Sequence, residues 1–323
     1  MILALRALGV GDLATAVPAL RGLRAAFPDR VVALAAPAWL APLVDLIGGV
    51  DRLIPVDGLD PYDWPGPPPR IAVNLHGCGP QSHQLLRSAG PERLFAFACR
   101  AAGHHDGPRW IEKEHEVQRW GRLLRWYGVG VDTDDLWLRR PSPHQVPIGA
   151  TIVHPGGKEA RRRWSPTRFA AVAGELARLG HRVVVTGSAA ERDLARQVVV
   201  RAGLPDAALL AGRLDLADLA ALVGHGRLLV AADTGIGHLA TAYGTPSVLL
   251  FGPVSPRRWG PPPDRPWHRV LWHERLAWLD ETPPVDGDLL HPALAAIDVE
   301  AVLDAVVEAE RQGRVGRVAA AAQ

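Results

Sequence analysis

Two stretches of alternating strand-like and helix-like pattern, separated by one proline-rich break, constrain this chain of 323 residues more than anything else in it. Before the break, apolar runs at 2–8, 31–36, 52–56 and 71–75 read as buried strands. Segments at 12–26, 38–47, 91–102 and 113–127 read as helices, and 61–69 (PYDWPGPPP) reads as a loop. At 139–149 (RRPSPHQVPIG) prolines and a glycine interrupt all periodicity. The pattern then restarts, with strands expected at 150–154, 182–186, 208–210, 227–231 and 247–251. Helices are expected at 166–179, 190–202, 215–224, 235–243 and 298–312. Alternation of this kind builds mostly parallel sheets covered on both faces. The expected fold class is therefore α/β: two doubly wound, Rossmann-like domains, 1–140 and 150–296, facing across a cleft. A closing helix, 297–312, is expected to pack back toward the first domain. Ligands of such domains bind at the carboxyl ends of the strands.

Composition mainly excludes. With 48% hydrophobic and 22% charged residues the chain has enough apolar surface for real cores, and a net charge of +2 gives no case for a nucleic-acid partner. Arg6 and Asp12 interrupt the apolar N-terminus, so it does not read as a signal peptide. The apolar stretch 31–50 is broken by Pro37, Pro42, Asp45 and Gly48-Gly49, so no transmembrane segment is expected. The two cysteines, Cys78 and Cys99, are expected as free thiols in a cytoplasmic protein. Thirteen histidines without paired-ligand spacing predict no metal, and Asp132-Thr-Asp134 reads as turn acids.

Gly9-Val10-Gly11-Asp12-Leu13-Ala14 scans as G-x-G-x-x-A between strand and helix, as a dinucleotide fingerprint does. A dinucleotide site also needs an acid at the end of the next strand, where this chain has Ala35-Ala36-Pro37. Asp12 would moreover put negative charge beside phosphate. Asp12 reads as a helix N-cap, and equally as a carboxylate placed to accept a proton.

Residues 230–252 (VAADTGIGHLATAYGTPSVLLFG) run from a strand through a turn into a helix. Free N–H groups at that helix start, with Gly235 and Gly237 permitting close approach, suit a phosphate, and His238 lies in the first turn. Capping by Asp233 with a surface His238 is the plain alternative. Residues 151–169 (TIVHPGGKEARRRWSPTRF) put Lys158 and Arg161 to Arg163 after another strand, as a diphosphate clamp or a solvated basic loop, before Ser165-Pro166 opens a helix. At 183–193 (VVVTGSAAERD) the strand ends in Gly187-Ser188, and Glu191 reads either as an acceptor for ribose hydroxyls or as a first-turn acid.

Together, GVGDLATAVPAL, HPGGKEARRRWSP and DTGIGHLATAYGTPSVLLFGP resemble glycosyltransferase family nine, the lipopolysaccharide-core heptosyltransferases, over nearly the whole chain. The resemblance implies a GT-B fold and an inverting, metal-independent transfer of heptose from ADP-heptose to an acceptor hydroxyl. That acceptor is a glycan, a lipid-linked core or a small metabolite. No cofactor is implied beyond the nucleotide-sugar cosubstrate. By position, Asp12 matches the general base, and Asp233, Thr234, Gly235 and His238 match the donor-binding turn. Arg162 stands where members carry a lysine, leaving Arg162 and Lys158 both as diphosphate clamps. Glu191, beside Gly187 and Ser188, matches a donor-ribose glutamate. Acceptor residues do not transfer; His76, His83 and Arg87 in NLHGCGPQSHQLLRS are the candidates. A lipid-linked acceptor would bring the chain to a membrane surface, with Arg93, Arg100 and Arg109 available for peripheral contact. A dehydrogenase using the first loop and a non-catalytic sugar-nucleotide binder are the competing functions.

Overall fold

The structure, a computed structural model, describes residues 1–279, 284–285 and 288–321, with side chains through 279 and from 289 to 313. It divides into two compact units, Met1–Arg139 and Arg140–Gln323.

In the first unit, β1 (Ile2–Leu5), α1 (Val10–Ala26), β2 (Val32–Ala36), α2 (Ala41–Ile47), β3 (Arg52–Pro55) and β4 (Ile71–Asn74) follow the expected alternation. The next stretch departs from it. The helix is α3 (Gln81–Ser88), and the region expected as helix 91–102 holds β5 (Arg93–Phe95) and a short 3-10 turn, Arg100–Ala102. Phe95, Ala96 and Phe97 are all buried, and an apolar run buried on every side carries no period to tell strand from helix. After α4 (Glu116–Trp126) the unit is complete. Its parallel sheet has the order β3-β2-β1-β4-β5. The strand sequence reverses direction between β1 and β4, and in doubly wound sheets that crevice is where ligands bind.

The second unit contains β6 (Thr151–His154), α5 (Pro166–Arg178), β7 (Val183–Val185), α6 (Arg192–Arg201), α7 (Leu216–Gly224), β8 (Leu228–Ala232), α8 (Gly235–Tyr243), β9 (Ser247–Phe251), α9 (Pro256–Trp259) and β10 (His268–Trp272). The strand expected at 208–210 is a 3-10 turn, Asp206–Ala208, with a single bridge from Leu209 to Val185. The sheet runs β10-β9-β8-β6-β7, all parallel, so its reversal lies between β6 and β8. Ser165 caps α5 through its side chain with Pro166 next, as the sequence implied. The short hairpin β11 (Pro284–Val285) and β12 (Asp288–Leu289) precedes α10 (Pro292–Ala295) and α11 (Val299–Ala321). Expected to return toward the first domain, α11 packs Val302, Ala305, Val306 and Ala309 into the second unit's own core, beside Trp164, Phe169 and Val248. Arg227 pairs with Glu310 along it. No helix among the described residues is long and apolar enough to cross a membrane, and both cysteines are free.

Candidate functional site

Each sheet reversal coincides with one of the sequence motifs. In the first unit the β1–α1 turn is capped by Gly9 in extended conformation. Asp12, read from sequence as the cap, lies three residues further on. Its Oδ2 accepts from the Gly9 N–H (3.2 Å), so the side chain reaches back to the cap rather than being it. Beneath it Arg6 is buried. Its Nε donates to the Asp12 carbonyl (2.9 Å), its Nη2 to Asp12 Oδ1 (3.4 Å) and Thr15 Oγ1 (3.2 Å), and its Nη1 to the Leu75 carbonyl. The guanidinium lies over the Trp120 ring, 4.6 Å from its centroid. Burial pushes the Arg6 guanidinium below its usual range, while Asp12 and then Glu116 pull it back up. A planar fork of five donors can hold four partners this way; an ammonium cannot.

Across the reversal, the chain leaving β4 presents His76, whose backbone N–H donates to Asn74 Oδ1 (3.0 Å). Burial, then the Arg6 charge, push the His76 ring down to about 4, against the pull of Asp12. The ring is thus neutral at pH 7, and its Nδ1 is buried without a hydrogen-bond partner among the described residues. The other two acceptor candidates are engaged within the fold. His83 is fully buried, with Nε2 donating to the Phe97 carbonyl (2.8 Å) and Nδ1 accepting from Asn74 Nδ2 (3.1 Å). It has no surface to offer a substrate. Arg87 spends its guanidinium on the Ala102 and Gly103 carbonyls, closing the 3-10 turn.

In the second unit the loops after β6, β7 and β8 converge. Glu191 Oε1 accepts from the Gly157 N–H (2.7 Å), and Oε2 from the N–H and hydroxyl of Ser188 (both 2.8 Å). A Cβ on Gly156 would fall 2.5 Å from this carboxylate, and one on Gly157 would press on Thr234 at 3.3 Å. Close approach favours glycine at 156, and the contact at 157 is tight. Burial pushes the Glu191 carboxyl up, but the Ser188 donors, His154 and Gly157 outweigh it and hold the acid low. Glu191 therefore ties the β6 loop to the Gly187-Ser188 turn, a structural use that the sequence did not reveal.

The N-cap of α8 is Thr234, with no side-chain cap bond. Asp233, the capping alternative, is buried and ion-paired with Arg162 Nη2. Burial pushes the Asp233 carboxyl up, and Arg162 opposes it. Arg162 Nη1 lies 4.0 Å from Glu159, and its Nε is buried with no partner among the described residues. Arg163 Nε donates to the Gly157 carbonyl (2.7 Å), and the buried Trp164 indole donates to Ile297 (3.1 Å), fixing the loop from behind. Lys158 is exposed. His238, one turn into α8, stands edge-on to Trp259 at 6.0 Å. The loop, Glu191, Arg162 and the 233–235 turn are thus one cluster, with Lys158 at its rim. Among the described residues no three His, Cys, Asp or Glu side chains are grouped to hold a metal.

Comparison with known proteins bears on this cluster directly. The profile of glycosyltransferase family 9 (heptosyltransferase) matches residues 109–276, just over half of the chain, including the 154–165 loop and the 233–238 turn. The chain belongs to glycosyltransferase family 9. Lipopolysaccharide heptosyltransferase 3 of Escherichia coli is 26% identical over 183 residues, 54% of this chain and 52% of that one. The match thus spans about half of that relative's length. Lipopolysaccharide heptosyltransferase 2 of Salmonella typhimurium is 23% identical over 284 residues, 76% of this chain and 81% of that one. Among solved structures, the family 9 glycosyl transferase of Veillonella parvula superposes with a TM-score of 0.78 at 20% identity, over 96% of this chain and 97% of that one. Escherichia coli ADP-heptose lipopolysaccharide heptosyltransferase II gives 0.74 at 21% identity, over 97% and 99%. These likenesses establish the GT-B fold class for this family 9 chain.

Proposed function

We propose that the protein is an inverting glycosyltransferase that moves a sugar, best read as heptose, from an ADP-activated donor to a hydroxyl of a glycan, lipid-linked or small-molecule acceptor. The observation that carries the reading is the start of α8. An uncapped helix N-terminus is set beside the Arg162 guanidinium, whose Nε has no partner, and the Gly156-Gly157 loop. Oriented N–H groups and a cation so arranged suit a diphosphate. In the proposed reaction the acceptor oxygen bonds to the anomeric carbon as the carbon–oxygen bond to the diphosphate breaks. Asp12 takes the hydroxyl proton, and the charge gathering on the departing ADP is held by Arg162 and the α8 N–H groups. Positive charge for the leaving group comes in this reading from protein rather than metal. Lys158 at the rim assists, and His238, Gly187, Ser188 and Glu191 shape the nucleotide side. Free thiols support a cytoplasmic setting. A lipid-linked acceptor would add peripheral membrane contact. The dehydrogenase alternative lacks its ribose acid, because β2 ends at Ala36 before Pro37.

Calorimetric titration with ADP, GDP and UDP in the presence of EDTA tests this, with Asp12→Ala and Asp233→Ala in parallel. One nucleotide should bind, weakened by Asp233→Ala and unaffected by Asp12→Ala. Binding of NADH abolished by Asp12→Ala, with no nucleoside diphosphate bound, would move the ligand to the first unit and end the transferase reading.

A further inference from the structure

Resting on that transfer reading, the first unit carries more information about the acceptor than its base alone. The reversal of the sheet between β1 and β4 sets two turns side by side, since these strands pair directly, Leu5 with Asn74. One turn carries Asp12 and the other His76, and Arg6 joins them by donating both to Asp12 and to the carbonyl of Leu75. His76 is held on its turn by a buried relay. The Phe97 carbonyl accepts from His83, Asn74 donates to His83 and to Ser82 Oγ (2.9 Å), and Asn74 Oδ1 takes the N–H groups of His76 (3.0 Å) and Gly77 (3.4 Å).

That relay fixes the backbone of His76 but touches neither ring nitrogen. Among the described residues Nδ1 is buried and partnerless, and Nε2, also without a partner there, is not among the buried atoms. A half-buried imidazole with its outer nitrogen open, anchored this thoroughly from beneath, is an unspent polar group beside the base. Burial, and then the Arg6 charge, keep a second proton off the ring, so it acts as a neutral hydrogen-bonding group and not as a competing acid.

We infer that His76, through Nε2, hydrogen-bonds the hydroxyl next to the one Asp12 deprotonates, so that the acceptor is recognised as a vicinal diol on a sugar ring. Asn74 and His83 are positioning residues that act through the His76 turn. The site then selects for a pair of neighbouring hydroxyls, and an acceptor with a lone hydroxyl is a poor substrate.

The test uses ADP-heptose with methyl α-D-mannopyranoside and methyl α-D-glucopyranoside, and with the 3-deoxy analogue of each, which has no two free hydroxyls on neighbouring ring carbons, following ADP release and glycoside product. Wild type, His76→Ala, His76→Gln and His76→Asn are compared, each with ADP affinity measured by calorimetry. Glutamine places an amide near the Nε2 position and asparagine near Nδ1. We expect the wild type to prefer diols at least tenfold. His76→Ala should lose that preference through a raised acceptor KM at unchanged ADP affinity. Glutamine should restore it and asparagine should not. A wild-type acceptor KM and diol preference in His76→Ala would overturn the inference, as would restoration by asparagine alone or turnover of no diol. In each of those outcomes intact ADP binding leaves the donor reading standing, whereas failure of the wild type to bind ADP removes both.

Discussion

The two units solve the same electrostatic problem in opposite ways. Each sheet reversal carries an acid and an arginine in contact, on or beside a strand-to-helix turn. In the first unit the arginine is the buried partner: the Arg6 side chain is 1% exposed and that of Asp12 28%. In the second the acid is buried: Asp233 is 8% exposed and Arg162 27%. Burying one charge is tolerated only because its partner is fixed against it, and the partner left near water is the one able to meet a ligand. By that logic the first unit offers a carboxylate, suited to a proton, and the second a guanidinium, suited to a phosphate. The inversion is what the proposal expects, with base and anion site on different units.

The harshest way to break the comparison is to neutralise the exposed acid. Asp12→Asn keeps an oxygen for the Gly9 N–H but cannot accept a proton, so acceptor-dependent kcat should fall by about 10²- to 10⁴-fold with ADP affinity unchanged. A loss of ADP affinity instead would mean that Asp12 serves the donor, and the assignment by exposure would collapse.

Next in size is removal of the exposed cation. Arg162→Ala strands a buried carboxylate, and stability at neutral pH should drop by on the order of 3 kcal/mol, read from urea unfolding. The sign with pH follows from the direction of the Asp233 shift. Burial already raises that carboxyl, and Arg162 is what restrains it. Without Arg162 the native state holds the Asp233 proton to higher pH than the unfolded chain does. Stability is then lost as pH rises from the ordinary carboxylate range through the raised native value. The deficit of the variant should therefore shrink toward acid pH; a deficit independent of pH would show that Asp233 does not carry it.

A gentler change separates the two candidate clamps. Arg162→Lys keeps the charge but loses the planar fork that addresses Asp233 with one of its nitrogens. ADP affinity should weaken by about tenfold, roughly 1.4 kcal/mol. Lys158→Ala, at an exposed rim position, should cost less than that. The reverse ranking in calorimetry would hand the diphosphate to Lys158.

Most of the strand and helix pattern was legible in the sequence, and α8 and β9 fall where the apolar runs and the bounding glycines put them. The failures have a common physical origin. Phe95, Ala96 and Phe97 are all buried, and uniform burial erases the period that separates strand from helix. His83 looked like a surface ligand because a lone histidine in a polar stretch carries no sign of burial; only its contact with Phe97 reveals its place. Arg6 stood in the sequence as a charge that breaks an apolar leader. Its partners Leu75 and Trp120 lie far along the chain, and nothing local announces them. In sequence the loop after β6 reads by its basic residues, whereas its Gly156 lies where a Cβ would meet the Glu191 carboxylate. Motifs located the two turns, but which member of each charged pair is buried is a property of the packing.

The smallest effect is also the most direct measure of how far the buried Arg6 field reaches. His76 titrates at about 4 because burial disfavours its charged form and Arg6 adds to that, while Asp12 works against both. Arg6→Met should therefore raise the midpoint, though not to the free value of about 6.5, since burial remains the larger cause. Asp12→Asn should lower it further, and Arg6→Lys should hold it near the wild-type value. Ring resonances of His76 followed by NMR from pH 7 to about 2.5 report all three. The same shift carries a stability signature. A histidine depressed in the native state leaves the unfolded chain holding more protons between about 4 and 6.5, so its contribution is lost as pH falls through that window. Arg6→Met should narrow the window, giving a shallower fall in urea midpoint with acid than the wild type. Opposite movements in Arg6→Met and Asp12→Asn would place both charges against the same imidazole. If neither moves it, burial alone sets the ring, and the inverted pair in the first unit ends at Asp12.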